Sequence, residues 1–389
     1  MARVTAAATA DRVTRPAHYP ALDGLRGVAV LMVACGHAGY SGWLPLVVGC
    51  ASTGVILFFF LSGFLMGSLY VPDASLSAIS RGSLRYWLMF LLRRYVRVYP
   101  AFFFAPFVGY LLLLPGAPPD VAHAGSSGLS SLAGALKVAL LQHNLGIYWT
   151  IKVELFFYRL YPFVIVAFIL LGRRLWTLVA FLVWLALLNH FRHGVSGISW
   201  NVPMFSASGG YVAIFVAGML AAMSAERVAR RFTLSGKQWD FVAAVSLAAF
   251  FLSVLILAQF KPTQTESWQK EWLFAPILFA LFVAVLHADG WVVRVLASGP
   301  ARLLGRVSYS LYLTHIIAFT LVLRWLPAPF QGALTGALAV LVLTALYYCA
   351  IERPFVRLSR KIIVTGAGAA ESGFGASLTH TTPAVGPAG

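Results

Sequence analysis

Several short stretches of this 389-residue chain set ionisable side chains into otherwise apolar sequence. The stretch ALDGLRGVAVLMVACGHAGY carries Asp23, Arg26 and His37. A helix rises 1.5 Å per residue, so Arg26 and His37 would stand about 16 Å apart along one helix. They cannot touch each other, but one elongated ligand can reach both. Asp23 and Arg26 are three residues apart and can share a helix face or pair. A second stretch, YWTIKVELFFYRLYPFV, carries Lys152 and Glu154, whose spacing points them to different faces. Glu154 and His37 both lie at outer ends of their apolar runs, so they can meet at one level. A carboxylate beside an imidazole fixes its tautomer and raises its basicity, which makes this pair the best candidate general base.

A third stretch, LLRRYVRVYP, supplies Arg93, Arg94 and Arg97. Arg94 and Arg97 are three apart, a spacing suited to a diphosphate, because guanidinium forks grip phosphate bidentately. His315, in GRVSYSLYLTH, is expected to hydrogen-bond within the interior as support. Glu352, followed by Arg353 and Pro354, reads as a local ion pair at a helix stop. Each group also has a plainer explanation. Asp23 and Arg26 can be a structural ion pair, Lys152 can neutralise Glu154, and the arginines can simply mark the cytoplasmic side. The cost of an ionisable group within a span favours function for His37 and Glu154. Cys35, Cys50 and Cys349 fit no metal spacing, and no compact ligand cluster calls for a metal.

The elements that must position these groups follow from composition. The chain is 60% hydrophobic and 11% charged, whereas a soluble domain is about a quarter charged. A chain this poor in charge uses lipid as solvent for most of its surface. Apolar runs near 21–40, 46–70, 98–115, 151–171, 175–190, 205–223, 240–260, 271–287, 307–326 and 332–351 predict an all-α bundle of about ten transmembrane helices. The second run is long enough to break at Gly63, and a short interfacial helix is expected over 132–145. The net charge of +17 falls mainly in alternate connections. That alternation predicts both termini in the cytoplasm, and it assigns the basic excess to topology rather than to nucleic acid. Residues 1–18 read as a flexible cytoplasmic N-terminus, 19–361 as the membrane domain and 362–389 as a disordered tail. No apolar leader core precedes the first run, which is therefore expected to remain as an anchor.

The stretches YPALDGLRGVAVLMVACGH, TGVILFFFLSGFLM, LLRRYVRVYPAFF, WTIKVELFFYRLYPFV, LLGRVSYSLYLTH and YYCAIERPFVRLSR occur in that order. Together they make the chain resemble the acyltransferase-3 family of integral membrane O-acyltransferases, which modify sugars, polysaccharides and macrolides. The resemblance implies that His37 is catalytic with Arg26, that Arg94 and Arg97 hold the phosphates of acyl-CoA, and that Glu154 is the family's glutamate. Leu155 and Ile56 stand where the family often carries acidic residues. The expected activity is transfer of an acyl group, commonly acetyl, from cytoplasmic acyl-CoA to a hydroxyl of a sugar, glycan, glycolipid or macrolide. Acyl-CoA is then a substrate, with no permanently bound cofactor. The expected setting is a bacterial cytoplasmic membrane, and a second copy of the chain is a further candidate partner. The rival class is a multi-span transporter, which also carries buried ionisable groups.

Overall fold

A computed structural model describes residues 19–44, 50–68, 84–113, 131–143, 146–170, 209–259 and 274–359, with positions 176, 179 and 180. The described residues form helices and short connections, with no strand among them. In chain order the helices are α1 (Pro20–Tyr40), α2 (Cys50–Ser68), α3 (Leu84–Leu113), α4 (Leu132–Ala139), α5 (Trp149–Leu170), α6 (Gly209–Phe232), α7 (Gly236–Gln259), α8 (Phe274–His287), α9 (Trp291–Leu296), α10 (Gly299–Trp325) and α11 (Ala333–Tyr347). A π-helical turn, Tyr348–Glu352, prolongs α11 into a last helical stretch over 353–359.

Seven described helices are long and apolar enough to cross a membrane: α1, α2, Trp87–Leu112, Tyr211–Phe232, Gly236–Ile256, α10 and Ala333–Ser359. The chain is therefore a multi-pass membrane protein. Helix α5 spans 22 residues but carries Lys152, Glu154 and Arg159 in its first half, and α8 has only 14 residues. The expected run 175–190 lies almost wholly outside the described residues, as do the two terminal segments 1–18 and 362–389.

Close helix contacts set the bundle, as is usual where lipid removes the hydrophobic drive between helices. Helices α1 and α10 run parallel. A Cβ on Gly305 would lie 1.9 Å from the Asp23 carbonyl oxygen, and one on Gly27 would lie 3.0 Å from that of Ala301. Farther along the same pair, His37 meets His315. Helices α1 and α2 run antiparallel, with Gly36 against Ala51 and Gly54 against Ala29.

Four local expectations are corrected. Helix α2 does not break at Gly63. That glycine instead lets α2 press on α6, where a Cβ would fall 1.9 Å from the Phe215 oxygen. Helix α3 starts at Leu84, well before residue 98, so the helix face expected to carry Arg94 and Arg97 is the first half of a single long helix. Neither Pro100 nor Pro106 ends it. The short helix expected over 132–145 stops at Ala139. Ser131 caps its start, its side-chain oxygen accepting from Gly134 N–H at 3.0 Å, and Leu141 takes a left-handed φ of 60° beyond its end. Pro354 does not stop the last helix either, which continues to residue 359.

Candidate active site

Tyrosine hydroxyls fasten the helices around one cleft. The Tyr309 hydroxyl donates to the Val98 carbonyl at 2.8 Å, joining α10 to α3, and the Tyr347 hydroxyl donates to that of Ala101, joining α11 to α3. The Tyr161 hydroxyl donates to the Met66 carbonyl at 3.0 Å, joining α5 to α2. Each satisfies a phenol in the interior while fixing two helices at one height.

The cleft between these helices encloses about 930 Å³, its open mouth included. Arg26 of α1, Arg94 and Arg97 of α3, and Arg306 of α10 line it, together with Glu154, Tyr158 and Glu352. Four guanidiniums against two carboxylates make the cavity cationic and so suited to a polyanion. Arg94 is stacked, its guanidinium carbon 5.6 Å from the Tyr158 ring centre and 5.7 Å from that of Phe90. The Tyr158 hydroxyl donates to Glu154 Oε1. Arg94, Tyr158 and Glu154 thus form one connected group. Arg26 feels Asp23 and Glu154 as attracting charges and Arg97 as a repelling one. A bound anion would offset that repulsion.

Beyond the charged part, Phe58, Phe59, Thr150 and Tyr312 line the cleft. The Tyr312 hydroxyl donates to the Ile147 carbonyl at 2.7 Å and lies 2.8 Å from the Thr150 hydroxyl. Its ring centre is 5.9 Å from that of His315. His315 in turn touches His37, with ring centres 5.0 Å apart and His315 Nε2 to His37 Nδ1 at 3.2 Å. The cleft and the histidine pair are therefore neighbours across the Tyr312 ring.

Some of the groups singled out in the sequence meet here, but not in the expected pairs. Arg26, Arg94, Arg97 and Glu154 share the cleft. His37 does not line it, and its side-chain hydrogen bonds go to Val33 and His315. Glu154 instead bonds Tyr158, one turn along its own helix. The pairing of Glu154 with His37 expected from their levels is thus replaced by a histidine–histidine contact. The reason is the parallel packing of α1 on α10, which brings His315 to the height of His37. Arg93 and Lys152 do not line the cleft, and Arg93 Nε is buried with no hydrogen-bond partner among the described residues. Both sit off the faces that carry Arg94 with Arg97 and Ile151 with Glu154 and Tyr158. Asp23 contacts α10 through its backbone at Gly305.

Glu352 does not form the expected ion pair with Arg353, which is exposed. The π-helical turn swings Glu352 inward, where it accepts from Ser310 N–H at 3.0 Å and from the Ser310 hydroxyl. Sequence reasoning also missed Arg306, Tyr158 and Tyr312. For Tyr312 a usable signal was present, since Gly305, Ser308, Tyr309 and Tyr312 fall at i, i+3, i+4 and i+7 and His315 prolongs that stripe.

A multi-span helical bundle with a basic cleft beside a pair of touching histidines defines the class of the protein. Residues 19–351 match the family described as acyltransferase domain, and the chain belongs to that family. It is 24% identical over 333 residues to "Putative O-acetyltransferase SACOL0978" of Staphylococcus aureus, covering 78% of this chain and 51% of that protein. It is 23% identical over 372 residues to "Putative peptidoglycan O-acetyltransferase YrhL" of Bacillus subtilis, covering 89% and 57%. It is 21% identical over 365 residues to "Peptidoglycan O-acetyltransferase OatA" of Listeria monocytogenes, covering 87% and 56%. The chain thus spans about half the length of these relatives. No solved structure gives a significant match.

Proposed function

We propose that this membrane O-acyltransferase moves an acetyl group from acyl-CoA, on the cytoplasmic side of a bacterial plasma membrane, to a carbohydrate hydroxyl. The observation that carries the reading is the placement of four arginines in a cleft that ends one aromatic ring short of the His37–His315 pair. The alternating charges of the sequence support ten spans with both termini cytoplasmic, a topology that favours a donor reaching Arg94 and Arg97 from the cytoplasm. Relatives named as peptidoglycan O-acetyltransferases favour a glycan acceptor over a macrolide.

In this reading Arg94 and Arg97 grip the donor diphosphate, and Arg26 and Arg306 neutralise its remaining charge. The pantetheine arm runs along the apolar part of the cleft and must pass Tyr312 to present its thioester. His37 Nε2 takes the acceptor's hydroxyl proton as the oxygen attacks the thioester carbonyl. The carbon–sulfur bond then breaks, and the CoA thiolate recovers a proton from His37. The products are an ester and free CoA thiol. Glu154, held by Tyr158, tethers the Arg94 side of the cleft rather than the base.

The test is acetyl transfer by the purified full chain in lipid vesicles, followed as CoA thiol release that depends on added glycan. Arg94→Gln with Arg97→Gln is expected to raise KM for acetyl-CoA by about 10-fold or more while leaving KM for acceptor nearly unchanged. An unchanged donor KM overturns the phosphate assignment.

A further inference from the structure

The hydrogen bonds around the histidine pair allow one arrangement of protons. His37 Nδ1 lies 2.9 Å from the Val33 carbonyl oxygen, and His315 Nδ1 lies 3.1 Å from that of Leu311. A carbonyl oxygen only accepts, so each Nδ1 must carry its proton. In a neutral imidazole the other nitrogen is then bare. In the 3.2 Å contact between His37 Nδ1 and His315 Nε2, His315 is therefore the acceptor, and the single Nδ1 proton of His37 is shared between it and the Val33 carbonyl. The opposite assignment would set two pairs of lone pairs against each other at both carbonyls.

We propose that His315 is a positioning residue for acyl transfer, acting with the Val33 carbonyl to hold His37 in the tautomer and ring orientation whose Nε2 is free to take the acceptor's proton. His315 is suited to that task because it is fully buried and its own ring is fixed by Leu311, so its accepting nitrogen cannot turn away. Once Nε2 takes a proton, His37 becomes an imidazolium. Its Nδ1–H bonds to His315 and Val33 then become charge-assisted and strengthen as charge develops. This is the service that a carboxylate gives a catalytic histidine elsewhere, supplied here by a neutral ring on a neighbouring helix. Placing His315 near the centre of α10 costs little, because both of its nitrogens are satisfied. The proposal rests on the reading of His37 as base.

Nitrogen NMR of histidine-labelled full chain in lipid bilayers tests the tautomer without any turnover, with His37→Gln identifying the signal. The expected result is a protonated Nδ1 and a bare Nε2 on His37 in the wild-type protein, whether or not the His315 variants fold. A protonated Nε2 overturns the proposal. In kinetics, His315→Leu is expected to lower kcat by about 10- to 100-fold, the range usual for partners that orient a functional histidine. KM for acetyl-CoA should change little. His315→Gln, whose amide oxygen can accept from His37, should recover most of that loss. Equal loss in the folded Leu and Gln variants, or unchanged kcat in both, overturns it. A His37→Ala protein that still transfers acetyl, with the Nδ1–H tautomer seen in wild type, would instead sink the assignment of the base.

Discussion

Replacing Gly305 with alanine probes how helix packing sets the chemistry. A Cβ at this position would lie 1.9 Å from the Asp23 carbonyl oxygen, where ordinary contact begins at 3.4 Å, so α1 and α10 must part by about 1.5 Å. The obstacle is backbone and cannot rotate aside. Gly24 sits equally tightly, 2.1 Å from the Leu296 oxygen, so α1 cannot slide toward α9 for relief. The same helix pair carries the 3.2 Å contact between His37 and His315. Even if only half the displacement is transmitted along the helices, that contact exceeds hydrogen-bonding range. A misplacement of about 1 Å at a catalytic group can cost about 100-fold, or roughly 2.7 kcal/mol in transition-state stabilisation. The Gly305→Ala protein is therefore expected to lose about 100-fold in kcat for acetyl transfer while remaining in the membrane. Gly299→Ala on the same helix meets nothing within 4 Å and should keep wild-type activity. The assay compares initial rates of CoA release at equal amounts of folded, detergent-purified protein. Activity of Gly305→Ala within about twofold of wild type would refute the coupling of packing to the histidine pair.

Other perturbations act on separate parts of the bundle. Ser310→Ala removes one of two donors to buried Glu352 and should lower stability by about 1–3 kcal/mol, read as an earlier thermal unfolding midpoint. Gly63→Leu forces a side chain into the Phe215 backbone and should prevent accumulation of folded protein, measured as the monodisperse fraction after extraction. Tyr158→Phe cuts the bond to Glu154 but keeps the ring under Arg94. It should therefore weaken donor binding less than Arg94→Gln does, as read from the two KM values for acetyl-CoA.

The apolar runs were legible because a span needs about 20 apolar residues whatever it packs against. The start of α3 was not, since its first half is too basic to extend the apolar run that begins near residue 98. Its arginines sit in a helix because a polar cleft and the rings of Phe90 and Tyr158 receive Arg94. Glu154 stood out because a charge is expensive inside a membrane, and Arg94 with Arg97 because their spacing suits a diphosphate. Their partners were hidden, because pairing depends on helix height and rotation, which residue spacing within one helix does not encode. Glu154 went to Tyr158 on its own helix, while His37 found His315 at a sequence distance of 278 residues. The inward turn of Glu352 depends on a π-helical turn after α11, and YCAIERP carries no local mark of it.

The central claim is that His37 performs acyl transfer with a donor held by the arginine cleft. The most direct measurement uses wild-type and His37→Ala full chain in lipid vesicles, with radiolabelled acetyl-CoA and a soluble glycan acceptor. The account predicts label on the glycan with wild type and none above background with His37→Ala, although both proteins retain acetyl-CoA with similar affinity. Label transfer by His37→Ala at the wild-type rate would contradict it.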